Sequence, residues 1–200
     1  MFRFRRHRRH VEPVGASPED FWSALRGVWL APRRFFERLE PGGGFLRPAI
    51  FASIVLYLNL LLEAALQAVW IGEFNFALIY APFLGLVVAL VLAPLLVAGL
   101  SVLVLVVLEG APSRRGFGPV FRALGYASGI GAVLWIPYAP LLAIPYGAFV
   151  ATVAVKETLN VGWERAAAGA LIPFVAALLI LLLLAGPGEA YGFLTNPPGS

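Results

Sequence analysis

The chain has no cysteine, two histidines and a single aspartate, Asp20, among its 200 residues. Without cysteine there are no disulfides, thiolate zinc sites, iron–sulfur clusters or thiol nucleophile, and redox chemistry gives no reading of the compartment. His7 and His10 both sit in the basic N-terminus, so no Ser–His dyad is expected, and one aspartate cannot make an aspartyl pair. The HExxH zinc motif, the GxxxxGK phosphate loop and GxGxxG are all missing. Charge is scarce as well: 13% of the residues are charged and 60% are hydrophobic. A water-soluble core of this length does not use so much apolar surface. These absences point away from catalysis, and no cofactor or metal is expected.

What the chain has instead is long apolar runs. Pro48 to Trp70 is long enough to cross roughly 30 Å of hydrocarbon. Phe76 to Leu108 is too long for one upright helix, so tilt, an interfacial start before Pro82 or a kink at Pro94 must absorb the excess. A third span is predicted over Phe117 to Ile136, a Pro-rich hairpin turn leads to a fourth ending near Val155, and a fifth covers Ala166 to Ala185. The expected fold is all-α: a polytopic membrane bundle of five transmembrane helices. Four regions follow: a basic tail over 1–16, interfacial helices and a glycine hinge over 17–47, the five-span domain over 48–185, and a flexible tail over 186–200.

Arg3, Arg5, Arg6, Arg8 and Arg9 crowd the basic tail. No apolar stretch follows until after Pro48, so it does not read as a cleavable signal. Neither an aromatic-interleaved RNA motif nor a helix-turn-helix accompanies it, so nucleic acid is not the expected partner. The tail reads as an anchor on anionic lipid headgroups, where each Arg contributes about 1 kcal/mol. Arg33 and Arg34 are further candidate headgroup contacts.

From residue 17, Ser17 is expected as an N-cap, with Pro18 at the first helical position and Glu19 and Asp20 near the positive end of the helix dipole. Phe21, Trp22, Leu25, Val28 and Trp29 then share one helical face, and Pro32 restarts a short helix bearing Phe35, Phe36 and Leu39. Trp, Phe and Arg together suit an amphipathic helix on the cytoplasmic membrane surface. Docking on a protein partner is the alternative.

Charge placement orients the spans. Of the 15 basic residues, ten precede the first span, Arg114, Arg115 and Arg122 follow the second, and Lys156 and Arg165 follow the fourth. The opposite side holds only Glu73 and Glu189. The N-terminus is therefore expected in the cytoplasm and the C-terminus outside.

Along the first span Asn59, Glu63 and Gln67 recur every fourth residue on one face. A carboxylate in the membrane costs about 2.5–3.5 kcal/mol on insertion scales, so Glu63 should face the bundle or a watery cavity. One reading is a proton or ion pathway or a headgroup cleft; the other is interhelical hydrogen bonding to partners such as Tyr126 or Thr152. Gly125, Gly129 and Ala132 form a small-residue face for close helix packing, within the chain or in a homo-oligomer. In KETLNVGWERA, residues 156 to 166, Asn160 and Gly162 suit a bend and Trp163 the headgroup belt. Lys156, Asn160, Trp163 and Arg165 are thus a candidate cytoplasmic docking turn.

Three stretches carry a resemblance. VWLAPRRFFERLEPGGGFLRPAIFA places a Pro before paired Phe, then a glycine break, then a Pro at the start of the first span. FGPVFRALGYASG sets Phe121, Arg122 and Tyr126 in the opening of the third, and VGWERAAAGAL opens the last helix. In this order they resemble the Yip family of five-span membrane proteins, named for interaction with Ypt/Rab GTPases, and in particular its prokaryotic members. The resemblance implies an N-in, C-out bundle without defined catalytic residues, and in eukaryotic relatives a part in vesicle traffic and membrane shaping. The basic N-terminus here is short and lacks those relatives' longer cytoplasmic domain. The resulting expectation is a non-enzymatic protein of a prokaryotic plasma membrane that organises lipids, anionic on the cytoplasmic face, or a protein partner. A small transporter, channel or lipid-handling protein using the polar stripe is the alternative.

Overall fold

The computed structural model describes residues 20–39, 42–71, 79–108 and 116–176, with Phe74 and Leu179. The basic tail with its five arginines, Ser17 and Pro18, Arg114 and Arg115, most of the last ten residues expected of the fifth span, and the tail 186–200 lie outside the described residues. Among the described residues the chain is helical, with no strand. Two short helices, α1 (Phe21–Leu30) and α2 (Pro32–Glu37), precede α3 (Leu46–Ile71) and α4 (Ala81–Leu108). Helix α5 (Phe117–Ala127) runs directly into a 3-10 segment (Ser128–Val133), and α6 (Pro140–Leu159) is followed by α7, described over 163–176. By length and composition α3, α4 and α6 can each cross a membrane. The protein is a multi-pass membrane protein.

Helix α4 shows how such a chain distinguishes inside from outside. Its buried residues are Ala81, Gly85, Ala89, Ala93, Val97, Ser101 and Val104, one nearly every fourth position. Its exposed residues include Phe83, Leu84, Val87, Leu90, Val91 and Leu95. Both faces are apolar, so polarity does not sort them; size does, because small residues let helices approach while bulky ones face lipid. In water this exposed face would be a large apolar patch.

The neighbours of the glycines fix the directions of the helices. A Cβ on Gly125 would meet Pro48, one on Gly129 would meet Phe51, and one on Gly131 would meet Val55, so α5 with its 3-10 extension runs parallel to α3. Gly147 faces Ile130, while Val120, Phe121 and Leu159 share a core cluster, so α6 returns antiparallel. Gly85 of α4 lies against Tyr57 and Leu60 of α3, and Gly169 of α7 against Leu108 of α4.

The third segment departs from the expected helix over 117–136. It is α-helical for 11 residues, then 3-10 for six, then a turn through residue 139. Gly129 and Gly131 are poor helix formers, and the Ser128 hydroxyl donates back to the Gly125 carbonyl at 2.6 Å. Pro137 then keeps Ile136 from continuing a helix, and Tyr138 takes φ 65°. Pro140 restarts the chain at the first turn of α6, where its missing N–H costs nothing.

The start of α1 also differs. Asp20, not Ser17, is its N-cap: the Asp20 carboxylate accepts from the Ser23 N–H at 2.5 Å, and the Asp20 N–H donates to Ser23 Oγ at 3.3 Å. Ala24 and Val28 are buried in the core with Phe51, Ala127 and Val150, and Phe21, Leu25 and Trp29 pack beside them. Trp22, expected on that face, is 63% exposed. The apolar face of α1 thus lies on the protein's own bundle.

Candidate functional site

The polar stripe of α3 is the only row of polar side chains in an otherwise apolar helix, and its members meet different surroundings. Asn59, at the middle of α3, is buried. Its amide donates to Val55 O at 3.2 Å and to the Gly131 carbonyl. Both neighbours are acceptors, so the nitrogen and oxygen of the amide cannot be exchanged. Gly131 O also accepts from the Leu134 N–H at 3.1 Å. Glu63, one turn further, is half-buried, and Gln67 beyond it is exposed and donates weakly to Glu63 Oε1 at 3.5 Å.

The expected partners, Tyr126 and Thr152, are elsewhere. The Thr152 hydroxyl donates to Ala148 O at 2.8 Å within its own helix. Tyr126 stacks with Phe51 and Phe35 at ring distances of 5.3 and 5.5 Å. The partner that sequence reasoning missed is the 3-10 segment, whose geometry turns carbonyls away from the α-helical ladder. Trp29 Nε1 donates to Gly129 O at 3.0 Å, and Asn59 reaches Gly131 O. Trp135 Nε1 reaches Ala132 O at 3.1 Å. The residues read as a packing face, Gly125, Gly129 and Ala132, therefore present carbonyls as well as small surfaces.

Asn59 and Glu63 line a mostly apolar cleft of about 380 Å³ between α3, α4 and the 3-10 segment, closed by Leu60, Leu96, Ser128 and Leu134. The run SGIG was the legible signal for this feature, since two glycines in four residues weaken a helix where a carbonyl can then be reached.

At the other end of the bundle, α6 closes on Asn160 in the left-handed conformation, φ 49°, and its N–H bonds back to Lys156 O. Lys156 pairs with Glu157 at 2.7 Å and sits 5.2 Å over the Trp163 ring, within cation–π range. Arg33 of α2 bonds Glu37 at 2.9 Å and approaches Glu157 at 3.5 Å. Trp163 and Arg165 are exposed, as is Arg34. Tyr146 donates from α6 to Trp29 O at 2.6 Å, so α1 and α2 are held along α6 by polar contacts at both ends. Near the hinge, Arg122 is buried, and a Cβ on Gly43 would stand 2.5 Å from its guanidinium, so a larger residue there would require that side chain to shift.

The family model for the Yip1 domain matches residues 26–185, which takes in α2 to α7 and the second half of α1. Neither the curated proteins nor the solved structures give a match.

Proposed function

Because the chain belongs to the Yip1 domain family, we propose that it is a non-enzymatic integral membrane protein that organises anionic lipid or a protein partner at the cytoplasmic face. The observation that carries this reading is the 3.5 Å approach of Arg33 to Glu157. It joins α2 to the last turn of α6, so two segments far apart in sequence form one surface with Lys156, Trp163 and Arg165. A solvated aromatic among cations suits the headgroup layer, and Arg recognises phosphate and carboxylate alike.

In this reading the chain makes five crossings of a prokaryotic plasma membrane, N-terminus inside and C-terminus outside. The antiparallel α5 and α6 support that count, because α6 can return to the cytoplasmic side only if α5 and the 3-10 segment have first carried the chain away from it. Site-specific photocrosslinking from position 163 in native membranes tests the role. A defined protein or anionic lipid captured there, and lost on Arg33→Glu, is expected; capture of bulk zwitterionic lipid alone would count against it. The cleft at Glu63 favours a second reading, a small transporter, channel or lipid-handling protein.

A further inference from the structure

We infer that the cleft between α3, α4 and the 3-10 segment binds a lipophilic amine, its alkyl chain among Leu60, Leu96 and Leu134 and its ammonium group at the Glu63 carboxylate. The argument rests on what the polar groups there have left to offer. The two amide hydrogens of Asn59 are taken by Val55 O and Gly131 O. The Ser128 hydroxyl hydrogen is taken by Gly125 O. Among the described residues, what these side chains have left to offer the cleft is acceptors: Asn59 Oδ1, the Ser128 lone pairs and a carboxylate that accepts from Gln67 at 3.5 Å. A site holding acceptors alone selects a donor and rejects phosphate, sulfate and carboxylate ligands.

Charge narrows the ligand further. Among the described residues no basic side chain pairs with Glu63, and an acid at this depth calls for a cation or a proton. Glu63 lies four residues past the midpoint of α3, about 6 Å along the helix axis, below the level at which a glycerophospholipid amine resides. A single-chain amine reaches it. The cleft, about 380 Å³ and mostly apolar, is within the range of small-molecule sites.

The test uses the full chain in nanodiscs of zwitterionic lipid with a photoactivatable alkylamine, and maps the labelled residues by mass spectrometry. Labelling is expected at Leu60, Leu96 or Leu134, displaced by excess dodecylamine and not by dodecanol. Glu63→Gln should lower it at least tenfold with an unchanged melting profile. Leu96→Trp, at a position 58% exposed and tolerant of bulk, should lower it equally by filling the cleft while leaving the carboxylate in place. If Glu63→Gln does not fold, Leu96→Trp decides alone. Equal displacement by the alcohol, labelling unchanged in the folded variants, or label spread evenly over the exposed α4 residues Phe83 and Leu90 would each overturn the assignment.

Discussion

Asn59 donates its side-chain amide to the carbonyl of Gly131, tying the midpoint of α3 to the 3-10 segment that follows α5. Trp29 of α1 bonds the Gly129 carbonyl of the same segment at 3.0 Å. The break in the third segment is thus held by side chains from two helices.

Asn59→Leu removes both amide bonds while keeping the branching and number of side-chain heavy atoms, and should cost about 1–2 kcal/mol, since a buried carbonyl then loses a partner in a low-dielectric setting. Trp29→Phe should cost about 1 kcal/mol for its single bond and lost ring area. The two act on one short segment, so the double variant should fall short of additivity by about 0.5 kcal/mol or more, because the segment relaxes once either support is gone. Reversible unfolding in mixed micelles measures all three. Strict additivity would mean that the supports are independent.

Glycine spacing yields a ranking. A Cβ at Gly125 would stand 2.8 Å from Pro48 Cβ and 3.2 Å from its backbone oxygen, which cannot move aside. At Gly129 the nearest atom is a Phe51 ring carbon at 3.0 Å, and at Gly131 a Val55 methyl at 3.5 Å. Gly125→Ala should therefore lose about 1–3 kcal/mol from overpacking despite the helix preference of alanine. Gly129→Ala should lose less, and Gly131→Ala should be close to neutral. Thermal melting in detergent orders the three, and an equal effect at all of them would contradict the packing described.

Much of this architecture is legible in sequence, and the exceptions share a cause. The long apolar runs announced α3 and α4 within a few residues, because span length is set by the bilayer and not by neighbours. The turn after α6 was legible too, since an Asn at a helix end favours the left-handed cap. By contrast, apolarity alone predicts one helix over the third segment, and the low helix propensity of SGIG breaks it. Helical spacing places Trp22 on the apolar face of α1, yet it is exposed, because periodicity gives a face and not its edges. The partner of Asn59 was out of reach: which carbonyl a break exposes to a given side chain, 72 residues away, depends on tertiary packing alone.

Asp20 carries a pH dependence of definite sign. Bonds from the Ser23 N–H and hydroxyl, with Arg26 nearby, hold its carboxyl below the ordinary aspartate range. A group depressed in the folded state contributes stability that is present above its unfolded value, near 3.8, and lost as pH falls through the folded value. Helix α1 should fray below about pH 4, seen as lost hydrogen-exchange protection at Ala24 after correction for intrinsic rates. Asp20→Asn keeps a capping oxygen and should remove the acid-dependent part. Identical acid profiles for both proteins would assign the transition to another group.

The five-crossing arrangement makes a sharper claim about the turn at 134–139 than about any helix. Gly131, three residues before the turn, meets Asn59 at the middle of α3, so the turn begins past that midpoint, and whether it reaches the outer surface separates a full crossing from a re-entrant hairpin. The absence of cysteine gives a clean background for single-cysteine labelling with a membrane-impermeant maleimide. Tyr138 is 56% exposed and Asn160 is exposed, so each accepts the probe without burial of the thiol. Tyr138→Cys should react in intact spheroplasts, and Asn160→Cys only after permeabilisation. A position 138 that reacts solely in the denatured protein, with position 160 still cytoplasmic, would make α5 and α6 a re-entrant pair. The distribution of basic residues would be unchanged in that case, because both ends of the pair lie on the same side, and charge counting cannot distinguish the two arrangements.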